Sequence, residues 1–192
     1  MFIVAFFRGV TFEFRLKSHS GRKRWDALFI ISSVVVTVVQ GFVLATFVKG
    51  FENVSQNGSF LDYNIWFSSF GVITAVGLLF GYALLGSTRL ILKTTGHIQE
   101  QMFSLAKKLL ILVFILMVAV SIYTPFVDKS LTKFWFDPQR LPYLAILPIV
   151  TLVLMAYCMW ALVKKRDIAP YWCTIGIFLC GYTGFGLSTY PY

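Results

Sequence analysis

Residues 66–96 read WFSSFGVITAVGLLFGYALLGSTRLILKTTG, and this stretch decides the fold. From Ile65 to Thr88 no side chain carries a charge, and a run of that length reaches the roughly 20 residues a helix needs to cross a hydrocarbon layer about 30 Å thick. Gly77 and Gly81 form a GxxxG pair and Gly86 follows. All three are candidate helix-packing positions, because a glycine lets a neighbouring helix come close. Arg89 and Lys93 follow four residues apart at the end of the run, where cations complement both the helix dipole and lipid headgroups.

Four further uncharged runs repeat the pattern: Ala27–Val48, Leu109–Val127, Leu141–Val163 and Ile168–Tyr192. Apolar residues make up 58% of the 192-residue chain and charged ones 13%, against about 25% charged in a soluble domain. None of the runs alternates like a barrel strand, and backbone groups in lipid must be satisfied internally, so the spans are helices. The expected fold is an all-α polytopic membrane helix bundle forming one membrane domain over residues 1–192. Its full spans are expected at 27–48, 65–88, 109–127, 141–163 and 170–190. Met1–Phe7 is about 10 Å of helix, too short to cross, and reads as the end of a sixth span covering residues 1–8. The basic residues come after that run, the reverse of a secretory signal. With no polar tail after Thr189, both ends read as those of a piece of a longer protein.

The net charge of +9 does not point to nucleic acid, because the cations alternate by loop. The stretches before the first full span, between the second and third, and between the fourth and fifth hold thirteen of the seventeen Lys and Arg residues. The positive-inside rule places those on the cytoplasmic side and the C-terminus outside. The outward loop Gly50–Asn64 contains Asn53-Val54-Ser55 and Asn57-Gly58-Ser59, which match the glycosylation acceptor pattern. The other outward loop carries Phe134-Trp135-Phe136, typical of an interfacial belt. Pro148 is expected to kink its span.

Candidate functional residues cluster at the basic stretch Arg8–Asp26, RGVTFEFRLKSHSGRKRWD. Arg8 closes one apolar run and Asp26 opens the next, so a hairpin brings both to one membrane boundary, where opposite charges pair. Gln40 is the most polar residue inside the first full span. An amide in lipid seeks a hydrogen bond on another helix, or it lines a polar path. Cys158, Cys173 and Cys180 lie in apolar runs without a CxxC and indicate neither a disulfide framework nor a metal site. His19 and His97 fall in loops outside the uncharged runs, poorly placed for a membrane-buried haem. No phosphate loop, hydrolase elbow or metalloprotease motif occurs, and no residue stands out as catalytic.

Five phrases, RGVTFEFR at 8–15, RWD at 24–26, QGFVLATFVKGF at 40–51, GYALLGSTRLILKTTG at 81–96 and GLSTYPY at 186–192, together resemble subunit II of cytochrome bd-type quinol oxidases, including the cyanide-insensitive branch. The resemblance runs over essentially the whole chain. It implies a terminal quinol:oxygen oxidoreductase of aerobic respiration in the bacterial inner membrane, with haems b and d and the quinol site in a partner, subunit I. Subunit II would bind no haem, hold a structural quinone in some members, meet membrane lipid, and supply a polar proton route from the cytoplasm. It would be inactive alone. Arg8 and Asp26 match the Arg and Asp lining that route. Family members begin two helices and most of a third before Met1, with acidic DGFDLG-like and WDGN-like motifs, and continue past Tyr192. The chain is thus expected to be about the middle half of a subunit. The competing readings are a small secondary transporter, for which inverted repeats would speak, and a non-catalytic remnant of the oxidase subunit.

Overall fold

The computed structural model describes residues 9–10, 22–49, 68–127 and 141–189, and everything described is helix or tight turn. The helices are α1 (Arg22–Lys49), α2 (Ser69–Lys93), α3 (His97–Val127), α4 (Leu141–Val163) and α5 (Ala169–Thr189). Four contain a stretch long and apolar enough to cross a membrane: Lys23–Thr46, Ser69–Lys93, His97–Tyr123 and Ile146–Val163. Among the described residues, four of the five full spans read from the sequence meet this criterion. The 21-residue α5 is not among them, because Pro170, four glycines, three threonines and two tyrosines dilute its apolar residues. The partial sixth span lies outside the described residues.

Local chemistry sets the helix ends. Ser68, in extended conformation, accepts a hydrogen bond on Oγ from the Gly71 amide (3.1 Å), the usual side-chain cap on a helix start. At the other end the Thr94 amide returns to the Leu90 carbonyl (2.9 Å) and Gly96 turns the chain at φ +76°, a conformation open to glycine at little cost. Only residues 94–96 separate α2 from α3. The sequence reading placed a long loop here, with His97 in it and the next span starting at 109. Instead α3 begins at His97, because Phe103, Ala106, Leu109, Leu110 and Val113 recur at helical spacing and are all buried.

The second short turn closes α4. The Arg166 amide bonds the Ala161 carbonyl (2.9 Å) and the Lys165 amide the Leu162 carbonyl (3.4 Å), with Lys165 at φ +52°. This is a Schellman motif with lysine where glycine is usual. Within α4, Pro148 is accommodated in the helix.

Hairpins α1–α2, α2–α3 and α4–α5 pack most extensively, while α5 also meets α2 and α1, and α3 meets α4. Helices α2 to α5 surround one core, with Leu84 and Ile91 of α2, Phe103 and Leu110 of α3, Cys158 and Leu162 of α4, and Cys173 and Ile177 of α5. That core lies toward the end of the bundle bearing the two short turns, called here the turn end. Helix α1 contributes nothing to it and packs on the α2–α5 edge. A Cβ on Gly41 would run into the Ala75 backbone, and one on Gly71 would come 2.7 Å from the Phe42 ring. Close approach over glycine, with Gly41 on the Ala75 backbone and Gly71 under the Phe42 ring, brings α1 against α2.

Candidate functional site

Three helices converge on a ring of hydrogen bonds in the middle of the bundle. The Tyr82 hydroxyl of α2 donates to Gln40 Oε1 of α1 (3.2 Å), and Gln40 Nε2 donates to the Tyr182 oxygen of α5 (3.3 Å). The two phenol oxygens are 3.2 Å apart. With the Tyr82 hydrogen engaged by Gln40, Tyr182 supplies the third hydrogen, so each group donates once and accepts once in the same rotational sense. Such a ring polarises its members and satisfies them without water. Tyr82 lies eleven residues from the end of α2 and Tyr182 thirteen from the start of α5. At 1.5 Å per residue both are about 16–20 Å from the turn end, near the middle of a hydrocarbon layer about 30 Å thick.

Aromatic packing braces the ring. Phe178 stacks on Tyr82 with centroids 5.5 Å apart and planes at 8°, and lies 6.4 Å from Tyr182. Gly81 makes room for it, since a Cβ there would stand 3.0 Å from Phe178 Cζ.

From the turn end a polar stripe leads to this ring. Asp26, Ser33, Thr37 and Gln40 follow one another along α1 at intervals of seven, four and three residues, which return to one face of a helix with 3.6 residues per turn. Thr37 is buried and the other three are half-buried. Ser33 donates to the Phe29 carbonyl (2.7 Å) and Thr37 to the Ser33 carbonyl (2.9 Å). Their hydrogens are thus held by the helix, while their oxygens still have lone pairs to offer.

At the turn end a second polar group ties the two short turns together. Gln99 Nε2 reaches both the Ile91 carbonyl (3.0 Å) and Asp167 Oδ1 (2.9 Å), and Lys165 pairs with Glu100 (2.9 Å). The first contact satisfies one of the orphan carbonyls at the end of α2.

The comparison that decides the family covers the whole chain: the family model for cytochrome bd terminal oxidase subunit II matches residues 1–192. The chain belongs to the cytochrome bd terminal oxidase subunit II family. A comparison with curated proteins gives no match.

In this subunit II chain the sequence candidates are distributed as follows. Arg8 lies outside the described residues, so its pairing with Asp26 does too; Asp26 sits in the first turns of α1, half-buried. Gln40 is a corner of the ring. Gly81 faces α5, whereas Gly77 faces α3, where a Cβ would meet Leu116 at an ordinary 3.9 Å. A Cβ on Gly86 would meet nothing within 4 Å. The GxxxG pair thus serves two interfaces, and among the described glycines the tightest approach is at Gly41, which the sequence reading did not single out. Neither Tyr82 nor Tyr182 was singled out. The available signal was a tyrosine far from either end of an apolar helix, away from the interfacial belt, whose hydroxyl must find a partner. Among the described residues no three His, Cys, Asp or Glu side chains come together in a way that could hold a metal ion.

Proposed function

We propose that this chain is the non-haem subunit of a quinol:oxygen oxidoreductase in the bacterial cytoplasmic membrane, held against a haem-bearing subunit I and carrying part of a proton path to it. The observation that carries the reading is the stripe from Asp26 through Ser33 and Thr37 to the Gln40 ring, which crosses about 21 Å of helix in a chain of this family. Asp26 is the one carboxylate on the stripe. Ser33 and Thr37 present lone pairs to bridging water. Tyr182, 41% exposed, turns the far end of the path toward a neighbour outside the chain. The turn end is then cytoplasmic, as the cation distribution argues, and the end of α5 is outside.

In this reading the partner holds haems b and d and oxidises quinol. The present chain contributes no axial ligand, since His97 opens α3 at the turn end and no histidine falls within an uncharged run. A structural quinone would be held by the complex, not required for the path.

The test is made on the assembled oxidase. Asp26→Asn and Thr37→Val are expected to slow oxygen consumption while the haem content per complex stays at the wild-type value. Unchanged turnover in both variants would overturn the path. The closed ring favours a second reading, in which these groups only fasten helices. In that case turnover and haem content fall together, in proportion to lost assembly.

A further inference from the structure

Arg166 follows the Schellman turn, and its guanidinium carbon lies 4.7 Å from the centre of the Trp160 indole. Trp160 stacks on Tyr157, with centroids 5.6 Å apart and planes at 26°. Below them Val153, Ile149 and Ile146 continue the same face of α4 at intervals of three and four residues, and every member of the stripe is exposed, from 43% at Trp160 to 62% at Val153. No described helix covers it. The neighbouring charges are already engaged: Lys165 pairs with Glu100, and Asp167 accepts from Gln99. Neither Arg166 nor Lys164, two residues earlier on the same turn, has a carboxylate partner among the described residues.

We infer that this face binds one phospholipid with an anionic headgroup. The phosphate sits on Arg166 with Lys164 beside it, the glycerol region lies against Trp160, and an acyl chain runs down Tyr157, Val153, Ile149 and Ile146. Three features select lipid over a helix of a partner subunit. The face is built from large aromatic and β-branched side chains with Ala156 as a single small residue among them, whereas helices that approach closely in a membrane do so over repeated Gly, Ala, Ser or Thr. It has two positive charges at one end and none along its length, which complements a molecule charged at one end only. A protein partner covering Arg166 would also have to bring a carboxylate to it, since a buried unpaired charge is strongly unfavourable. From Trp160 to Ile146 the stripe is about 21 Å long, enough for the roughly 15 Å of one leaflet. Stacking on the indole restrains the guanidinium, so less ordering remains to be done when a phosphate arrives.

The inference needs the chain to lie in a membrane but not to serve an oxidase, so lipid retention and turnover are read separately. The protein is purified from its membranes together with whatever it assembles with, delipidated, and exposed in detergent to equimolar phosphatidylglycerol and phosphatidylcholine. Retained lipid is then counted by native mass spectrometry. The expected result is one phosphatidylglycerol held in preference to phosphatidylcholine, with retention falling roughly fivefold for each cation removed in Arg166→Gln and Lys164→Gln. Lys23→Gln, on α1, should leave it unchanged. Trp160→Leu should weaken retention while keeping the charges, which guards against a misfolded Arg166 variant. Equal retention of the two lipids would overturn the inference. So would displacement by inorganic phosphate at equal concentration, which would mark a bare anion site, or a lipid-free face shielded by a co-purifying subunit.

Discussion

The phenol oxygens of Tyr82 and Tyr182 stand 3.2 Å apart across the α2–α5 contact, although one hundred residues separate them in the chain. Both also bond Gln40, so removing any one corner opens the ring but leaves the other two able to bond each other. Tyr182→Phe and Gln40→Leu are each expected to destabilise the protein by roughly 0.6 kcal/mol, and at most about 2, as for interhelical hydrogen bonds measured in membranes. The double variant should cost measurably more or less than the sum of the two singles, because they share partners. Thermal unfolding in detergent checks this, and strict additivity would show that the ring does not act as a unit.

Gly41→Leu is expected to detach α1, because the new side chain meets the Ala75 backbone, which cannot move aside as a flexible side chain could. The cost should reach about 3 kcal/mol, the upper end of ordinary overpacking, and appear as loss of monodisperse protein on purification. Gly86→Leu is the control. With open space around it, yield should stay at the wild-type level.

Gln99→Leu leaves the Ile91 carbonyl and Asp167 without their shared donor, an expected loss of about 1 kcal/mol. Gln99→Glu should be worse at neutral pH, since a carboxylate would then face both a carbonyl and Asp167. Denaturation midpoints at neutral pH measure it, and a Glu variant no less stable than the Leu variant would show that Asp167 does not approach position 99.

Lys165 combines a left-handed backbone, φ +52°, with an exposed ion pair to Glu100. Lys165→Ala removes the pair and keeps the strain, while Lys165→Gly removes both. The glycine variant is expected to be the more stable of the two by about 1 kcal/mol. Lys165→Ala itself should differ little from wild type, because an exposed pair is worth under about 1 kcal/mol. Equal midpoints for Ala and Gly would mean that the turn relaxes.

Much of the architecture was legible in the uncharged runs, because hydrophobic length is a property of each segment alone. Boundaries were less so. Helix α3 starts twelve residues before its uncharged run, since Glu100, Lys107 and Lys108 interrupt hydropathy without interrupting a helix whose buried face runs through Phe103 and Ala106. Gln40 could be singled out because an amide is conspicuous among valines. Its partners were hidden, because Tyr82 and Tyr182 become neighbours only through the packing of α5 on α2. The same holds for glycine: Gly77 and Gly81 carry a recognisable spacing, whereas the tighter Gly41 depends on where Ala75 falls on the next helix.

The ring also sets a timetable for biosynthesis. Tyr182 follows Gln40 by 142 residues, which a ribosome working at about 5–20 residues per second takes roughly 7–28 s to synthesise. For that interval α1 is in place with only the Tyr82 hydroxyl to share, once α2 has been made. Its amide must then be met by water, lipid headgroups or an insertion factor until α5 arrives. Truncating the chain before Tyr182 would therefore extend a transient exposure into a permanent one, and membrane quality-control proteases have a polar handle by which to recognise it.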